Sequence, residues 1–450
     1  MNGSSSIFIA ITTIALLVLP RRWALMPLLM GACYMTLGQG IEVGPFHFTV
    51  IRLLLLAGAA RVFLRGERLG GGFNRLDGAM LMWAAAAVLS SPFHKFPNEA
   101  LIFRLGLVYD NLGIYFLTRV FCQSTEDIFQ FAKITAFVLV PVALEMVNEK
   151  VTLRNFFSLF GGVPEVVMIR DGKLRAQGPF LHPILAGTVG AVSVPLIAGL
   201  WKENKLVAKI GLMTCLAMIY ASNSSGPIMS VAAGFFALVL WRWQHLTRQM
   251  RIAAVLGYIL LDLIMVDPAY YILARIDLTG SSTGWHRAAL IESSIKHLSE
   301  WWLAGTDYTR HWMPTGVSWS VEHTDITNYY IKMGVLGGLP LMFLLFLAIA
   351  RAFQRIGQAL RFREHLLPKE NFIIWCLGAS LFAHATTCVS VSYFDQSFLF
   401  LYTGLAMAGS LQVQENADAS DGYASQSSEG VSSLESASSV SPSSVSRPTR

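Results

Sequence analysis

Apolar stretches recur along the chain, separated by short polar turns. They lie near 5–19, 24–39, 48–64, 77–90, 101–121, 128–147, 180–200, 206–221, 225–241, 252–266, 328–349, 371–391 and 397–413. An apolar run of about 20 residues with few charges matches the roughly 30 Å hydrocarbon core of a bilayer. Several of these runs are shorter, so one or two are expected to be re-entrant. The pattern predicts an all-α polytopic membrane protein with about 12–13 transmembrane helices. No repeat of fixed period is visible.

The breaks in the pattern set the organisation. Residues 1–147 carry N-terminal transmembrane helices. A long loop follows over 148–179, then helices over 180–266. A second long loop spans 267–327, and C-terminal helices fill 328–413. Residues 414–450 are dominated by Ser and predict a disordered cytoplasmic tail with no catalytic role. The first apolar run lacks a basic flank before it and a small-residue cleavage site after it, which predicts a retained span.

Composition agrees with the pattern. Charged residues are 14% of the chain, against about 25% in soluble domains. The net charge of +6 is mostly topological and implies no nucleic-acid partner. Short loops alternate between ones rich in Lys and Arg and ones nearly free of both. Arg21, Arg22, Arg61, Arg65, Arg68, Arg75, Arg119, Lys202, Lys205, Lys209, Arg242, Arg248, Arg251, Arg351, Arg355, Arg361, Arg363 and Lys369 fall on one set of faces. Loops 40–47, 222–224 and 392–396 carry none, and 91–100 carries only Lys95. The basic face is the cytoplasmic one. The two long loops are then outside, where topology does not require their arginines. The five cysteines include no CxxC pair and read as small buried residues.

Candidate chemistry concentrates in those loops. Arg175 precedes Gly178-Pro179, with Pro183 poised to open the seventh span. A guanidinium there suits bidentate contact with phosphate oxygens, and Arg170 is a second candidate. The alternative for either is interfacial snorkelling. His182 reads as a packed or capping residue. In the second loop, Thr279–Gly284 is turn-rich. From Trp285 to Leu303, positions Ala288, Ile291, Ile295, Leu298 and Trp302 follow helical spacing and predict an amphipathic helix at the membrane interface. Arg287 lies near its N-terminus, a place suited to an anion. His323 sits just above the eleventh span and is a candidate general base. Thr324, Asp325 or Thr327 would cap that helix, and Asp325 is a further site candidate. Asp307, His311, His323 and Asp325 can be sketched as metal ligands, but no compact ligand motif supports them and no metal is expected. Within spans, Arg52, Arg104, Asp110, Lys133, Glu145, Asp262 and Lys332 stand out as costly charges. Arg52 and Arg104 would add positive field to a lipid-phosphate pocket, or else pair between helices. Glu145 is a weaker candidate. There is no P-loop and no GxSxG pattern.

Three segments resemble the O-antigen ligase and polymerase superfamily of bacterial envelope glycosyltransferases. Arg175-Ala-Gln-Gly-Pro-Phe-Leu-His-Pro-Ile-Leu-Ala-Gly187 is similar to the family's R-x-x-G-x-F before a span. Trp285-His-Arg-Ala-Ala-Leu290, leading to Trp302-Leu-Ala-Gly305, looks like its arginine segment before a glycine. His323-Thr-Asp-Ile-Thr-Asn-Tyr-Tyr-Ile-Lys-Met-Gly-Val-Leu-Gly-Gly338 is similar to its H-N-x-hydrophobic segment. The order of spans and loops matches over about 100–412. Thr324 departs from the family's Asn, and Asn223-Ser-Ser-Gly226 from its Ser-Arg-Gly. Thirteen spans exceed the usual 12 of its ligases.

The resemblance implies a GT-C-like, metal-independent inverting transferase in the bacterial inner membrane, its site facing the periplasm. It needs no cofactor. Its donor would be a glycan on undecaprenyl diphosphate, with Arg175 and Arg287 on the diphosphate and His323 deprotonating an acceptor hydroxyl. The product would be an exopolysaccharide or O-antigen polymer. The ligase alternative uses a lipid A core acceptor, and other polysaccharide-assembly proteins would be partners. A lipid-linked oligosaccharide flippase is the rival class. It should concentrate polar residues at the midplane and show paired halves.

Overall fold

The computed structural model describes residues 1–275, 284–362 and 367–411. The turn-rich stretch before Gly284, Arg363 and the Ser-rich tail lie outside the described residues.

Among the described residues, sixteen α-helices run in the order α1 Gly3–Val18, α2 Leu25–Tyr34, α3 Val50–Arg65, α4 Arg75–Leu89, α5 Pro97–Phe121, α6 Thr125–Thr152, α7 Pro183–Ala198, α8 Lys205–Ser222, α9 Ser225–Val239, α10 Thr247–Ile264, α11 Ile272–Arg275, α12 Gly284–Lys296, α13 Leu298–Trp301, α14 Tyr329–Phe362, α15 Pro368–Thr387 and α16 Phe398–Ser410. Each of the thirteen apolar runs coincides with a helix. Seven helical segments among the described residues are long and apolar enough to cross a membrane: Arg75–Phe93, Pro97–Phe121, Thr125–Thr152, Pro183–Lys202, Lys205–Ser222, Ser225–Leu246 and Tyr329–Arg361. The chain is therefore a mostly helical, multi-pass membrane protein. The other runs give helices that fall short of those length or hydropathy limits, such as the ten-residue α2.

Helix starts follow local chemistry. Asn74 and Ser124 each form a capping box, with Asp77 and Asp127 respectively. Pro183 opens α7, and His182 caps it by accepting from the Ile184 N–H. The N-cap of α14 differs from expectation. Asn328 accepts from the N–H groups of Tyr330 and Ile331, while Thr324 donates its hydroxyl to the Thr315 carbonyl.

Helix α7 lies centrally, packed on α8, α9 and α15. Around it, α4 packs on α14, α5 on α16, and α3 on α1 and α5. Basic-face residues meet one another: Arg119 donates to Asp77, Gly70 O, Gly72 O and Ser410, and Arg21 pairs with Asp127. The short loops nearly free of Lys and Arg meet the long-loop segments. His94 pairs with Asp307, and the Leu181 N–H donates to Asp395. All five cysteines are buried and free.

Helix α14 is broken at Gly337-Gly338, and three of the backbone groups around the break find partners outside the helix. Val335 O accepts from the Thr306 N–H, and the Leu339 N–H donates to Trp302 O. Leu336 O accepts from Arg104 and Ser90. Gly338 adopts φ +74°, where an added Cβ would sit 2.3 Å from Leu303 O. Gly305, at φ +95°, would meet Val335 O at 2.2 Å in the same way. The two glycine-bearing segments singled out in the sequence thus close on each other.

Candidate anion site at the mouth of α7

The first long loop ends in a two-stranded hairpin, β1 over Gly40–Val43 and β2 over Phe46–Thr49 having formed an earlier one near the N-terminus. In the later hairpin, β3 Met168–Arg170 pairs antiparallel with β4 Lys173–Arg175. Asp171-Gly172 makes its turn, both at positive φ. Asp-Gly between two short apolar-polar runs is a strong hairpin signal. Arg170 is exposed near the tip and Arg175 is buried at the base.

The segment after Arg175 is pinned at nearly every peptide. The Ala176 N–H donates to Ala221 O. Glu149 accepts from the N–H groups of Gln177 and Gly178. Asn155 donates to Gly178 O and Gln396 to Pro179 O. Glu145, one helical turn before Glu149, accepts from the Phe156 N–H and so anchors the same loop. It is a loop-holding residue here, and Glu149, Asn155, Asp395, Gln396 and Ser224 are the supporting residues that sequence reasoning missed. Carboxylates and amides that hold backbone leave no sequence motif.

Arg175 Nη2 donates to Ser224 Oγ at 2.6 Å, and its buried Nε has no partner. Arg287, half-buried on α12, also has a buried Nε without a partner. Neither forms an ion pair among the described residues. Burial, with the charge of Arg170 added, holds both guanidiniums below their usual range, Asp171 partly opposing at Arg175. The same surroundings push His182 down to about 4: burial first, then Arg175 and Arg170. So Arg170, Arg175 and Arg287, from two loops far apart in sequence, share one electropositive neighbourhood. A desolvated cation without a counter-ion is costly. Cations held this way in a shared positive field are candidates for binding an anion.

The other two arginines do not join them. Arg52 is spent on Asp110, with Nε to Oδ1 at 2.9 Å and Nη2 to Oδ2 at 2.8 Å, and on His47 O. Arg104 caps the break in α14 and also donates to Ala100 O, with its Nη2 against His94 Nε2. Both guanidiniums are engaged in helix-to-helix ties, the alternative that the sequence left open for them.

His323 is half-buried. Its Nδ1 lies 2.7 Å from Ser320 Oγ and its ring leans on Trp319. Its Nε2 has no partner among the described residues. Asp325 is exposed, and its charge acts on His286 of α12 and on Lys332 of α14. Burial leads the lowering of His286, with Asp325 opposing and Arg287 assisting. The sketched metal set is not assembled. Asp307 is held by His94 and the Lys95 N–H, His323 by Ser320, and His311 by Glu300.

The amphipathic stretch is two helices, α12 and α13, turned differently from the expected stripe. Ala288, Leu290, Ser294 and Trp301 face inward, while Ile295, Leu298 and Trp302 are exposed. The inward face joins Trp312, Met313, Ile331 and Val335 in a small core over the start of α14.

Comparison with models of known protein families finds none that matches, and comparison with curated proteins finds no match either.

Proposed function

We propose that the protein is an integral membrane glycosyltransferase that takes its donor glycan from undecaprenyl diphosphate and extends a polysaccharide of repeat units on the periplasmic side. The observation that supports this reading most is the pair of guanidiniums Arg175 and Arg287, each with a buried, unpartnered Nε and with no carboxylate partner among the described residues, under the added charge of Arg170. A lipid-linked diphosphate supplies the missing anion and is itself the leaving group.

The acceptor hydroxyl attacks the anomeric carbon from the face opposite the diphosphate. The new glycosidic C–O bond forms as the bond to the diphosphate oxygen breaks. The arginines take up the charge that develops on that oxygen. One well-placed donor of this kind contributes about 3–4 kcal/mol. With Nδ1–H given to Ser320, the Nε2 lone pair of His323 receives the acceptor's proton, a contribution of about 10²–10⁴-fold. Asp325 sets the field at His286, beside Arg287.

The test is transfer by purified protein in detergent from a lipid-diphosphate-linked repeat unit, wild type beside His323→Ala and Arg287→Ala. A ladder of lengths from the donor alone is expected, lost in both variants. A single shifted band that requires a lipid A core acceptor would make it a ligase. No product from folded wild type on several donors, with movement of the lipid-linked glycan across vesicles, would overturn the transferase in favour of a transporter.

A further inference from the structure

Away from the arginines, the joint between α12 and α13 holds two imidazoles against one carboxylate. His297 Nδ1 lies 2.8 Å from Glu300 Oε1. His311 Nε2 lies 3.0 Å from Glu300 Oε2 and 3.1 Å from Oε1. One ligand atom from each of the three residues lies within 4.8 Å of the other two.

The rings are not free to swing. His297 stacks on Trp312 at 6.0 Å and 10°, and His311 stacks on Tyr308 at 4.8 Å and 16°. Trp312 is buried and donates Nε1–H to Glu300 Oε2 at 3.2 Å. It thus orients the carboxylate from behind, as an outer partner of a metal ligand does. Trp312 is in turn fixed by the small core, and its carbonyl accepts from Ser293. The trio therefore rests on a packed base, with its own atoms about one-third exposed.

We propose that His297, Glu300 and His311 form a binding site for a first-row transition-metal dication of the Zn²⁺ class. Two imidazole nitrogens and one carboxylate oxygen suit Zn²⁺, Co²⁺, Ni²⁺ or Cu²⁺, whereas Mg²⁺ and Ca²⁺ prefer all-oxygen shells. Without metal, each imidazole points an N–H at the carboxylate. On binding, that proton moves to the ring's other nitrogen and the bared nitrogen takes the metal, so neutral rings release no net proton. The three residues fill three positions, and water completes a tetrahedral shell. The ion would join the α12–α13 joint to the turn at Arg310–Trp312. It would thereby stiffen the helix that carries Arg287.

The test uses the untagged full chain in detergent, stripped with chelator and titrated with Co²⁺, then with Zn²⁺ in competition. One equivalent of Co²⁺ with visible bands of nitrogen–oxygen coordination is expected, displaced by Zn²⁺ and not by millimolar Mg²⁺. His297→Ala and His311→Ala each weaken binding roughly a hundredfold. Trp312→Phe, which touches no metal, weakens it roughly tenfold. His47→Ala, a histidine paired with Glu42 elsewhere, leaves it unchanged. If His297→Ala does not fold, Glu300→Gln keeps an acceptor for both rings and should still lose the metal. Substoichiometric binding, or full binding by the folded variants, would overturn the site. Displacement by Mg²⁺ would overturn its chemical class.

Discussion

Arg175 Nη2 donates to Ser224 Oγ at 2.6 Å, across 49 residues of chain and from hairpin base to the α8–α9 turn. The partner is neutral. A serine holds the guanidinium in place without cancelling its charge, whereas a carboxylate at the same spot would hold it better and silence it. Ser224 stands in the segment where the resembling family has Ser-Arg-Gly, so this chain uses that turn to support an arginine rather than to supply one.

This gives opposite expectations for two substitutions. Ser224→Ala removes a hydrogen bond to a charged group, about 1.5–3 kcal/mol of positioning, and should slow transfer from the lipid-diphosphate donor at least tenfold. Ser224→Asp pairs Arg175 and should leave thermal stability equal or higher while slowing transfer more. Turnover and melting temperature in detergent, read on the same samples, check both. A fully active Ser224→Asp would mean that the free charge of Arg175 is not used.

Arg287 predicts a trade of the same sign. Its guanidinium is half-buried, with a partnerless Nε. Arg287→Met keeps most of the packing volume and removes an uncompensated charge. Stability should stay level or rise, as at other sites where function is held against the fold. Transfer should fall about 10²–10³-fold if the charge stabilises the leaving diphosphate. Loss of stability and activity together would assign Arg287 to the fold.

The sequence pattern reveals the helices far better than the site. Runs such as 128–147 and 206–221 lie within α6 and α8 because a bilayer imposes one length and one polarity on every span. It also makes the two loops stand out, since Arg170, Arg175 and Arg287 lie where topology does not demand charge. What it does not reveal is which charges are already spent. Arg52 and Arg287 are both candidate phosphate ligands in sequence, yet one meets Asp110 from another helix and the other meets no carboxylate among the described residues. Nor does it show Glu149 and Gln396 holding the turn after Arg175, because backbone carbonyls and N–H groups are the same in every residue. The one local clue that was passed over is Asp171-Gly172, whose turn carries Arg170 away from Arg175 on the paired strand.

The Arg52–Asp110 pair should behave as structure. Both side chains are mostly buried and share two hydrogen bonds. Removing one partner leaves a charge stranded, at a cost of about 3–5 kcal/mol in buried pairs. Asp110→Ala should lower the melting temperature sharply, and Arg52→Met with Asp110→Leu should recover part of the loss. Transfer per folded molecule should stay within a few-fold of wild type in the double variant. If the double variant is stable and inactive, Arg52 touches substrate after all.

The last expectation concerns pH and comes from His182. Its Nδ1 accepts from the Ile184 N–H at 3.1 Å, so the cap of α7 needs an unprotonated ring. Burial, with Arg175 and Arg170 nearby, lowers its folded value from 6.5 to about 4. A folded value below the unfolded one means that the unfolded chain binds the proton first. The contribution of His182 is therefore fully present above about 6.5 and is lost as pH falls toward about 4. The slope in that window approaches 1.4 kcal/mol per pH unit. His182→Asn retains a capping acceptor that does not titrate. Melting temperatures of wild type and variant, measured in detergent from pH 4 to 7, should converge as pH falls, with the variant losing less. Parallel curves would mean that the ring titrates alike in the folded and unfolded chain and that the positive neighbourhood around Arg175 is weaker than its burial implies.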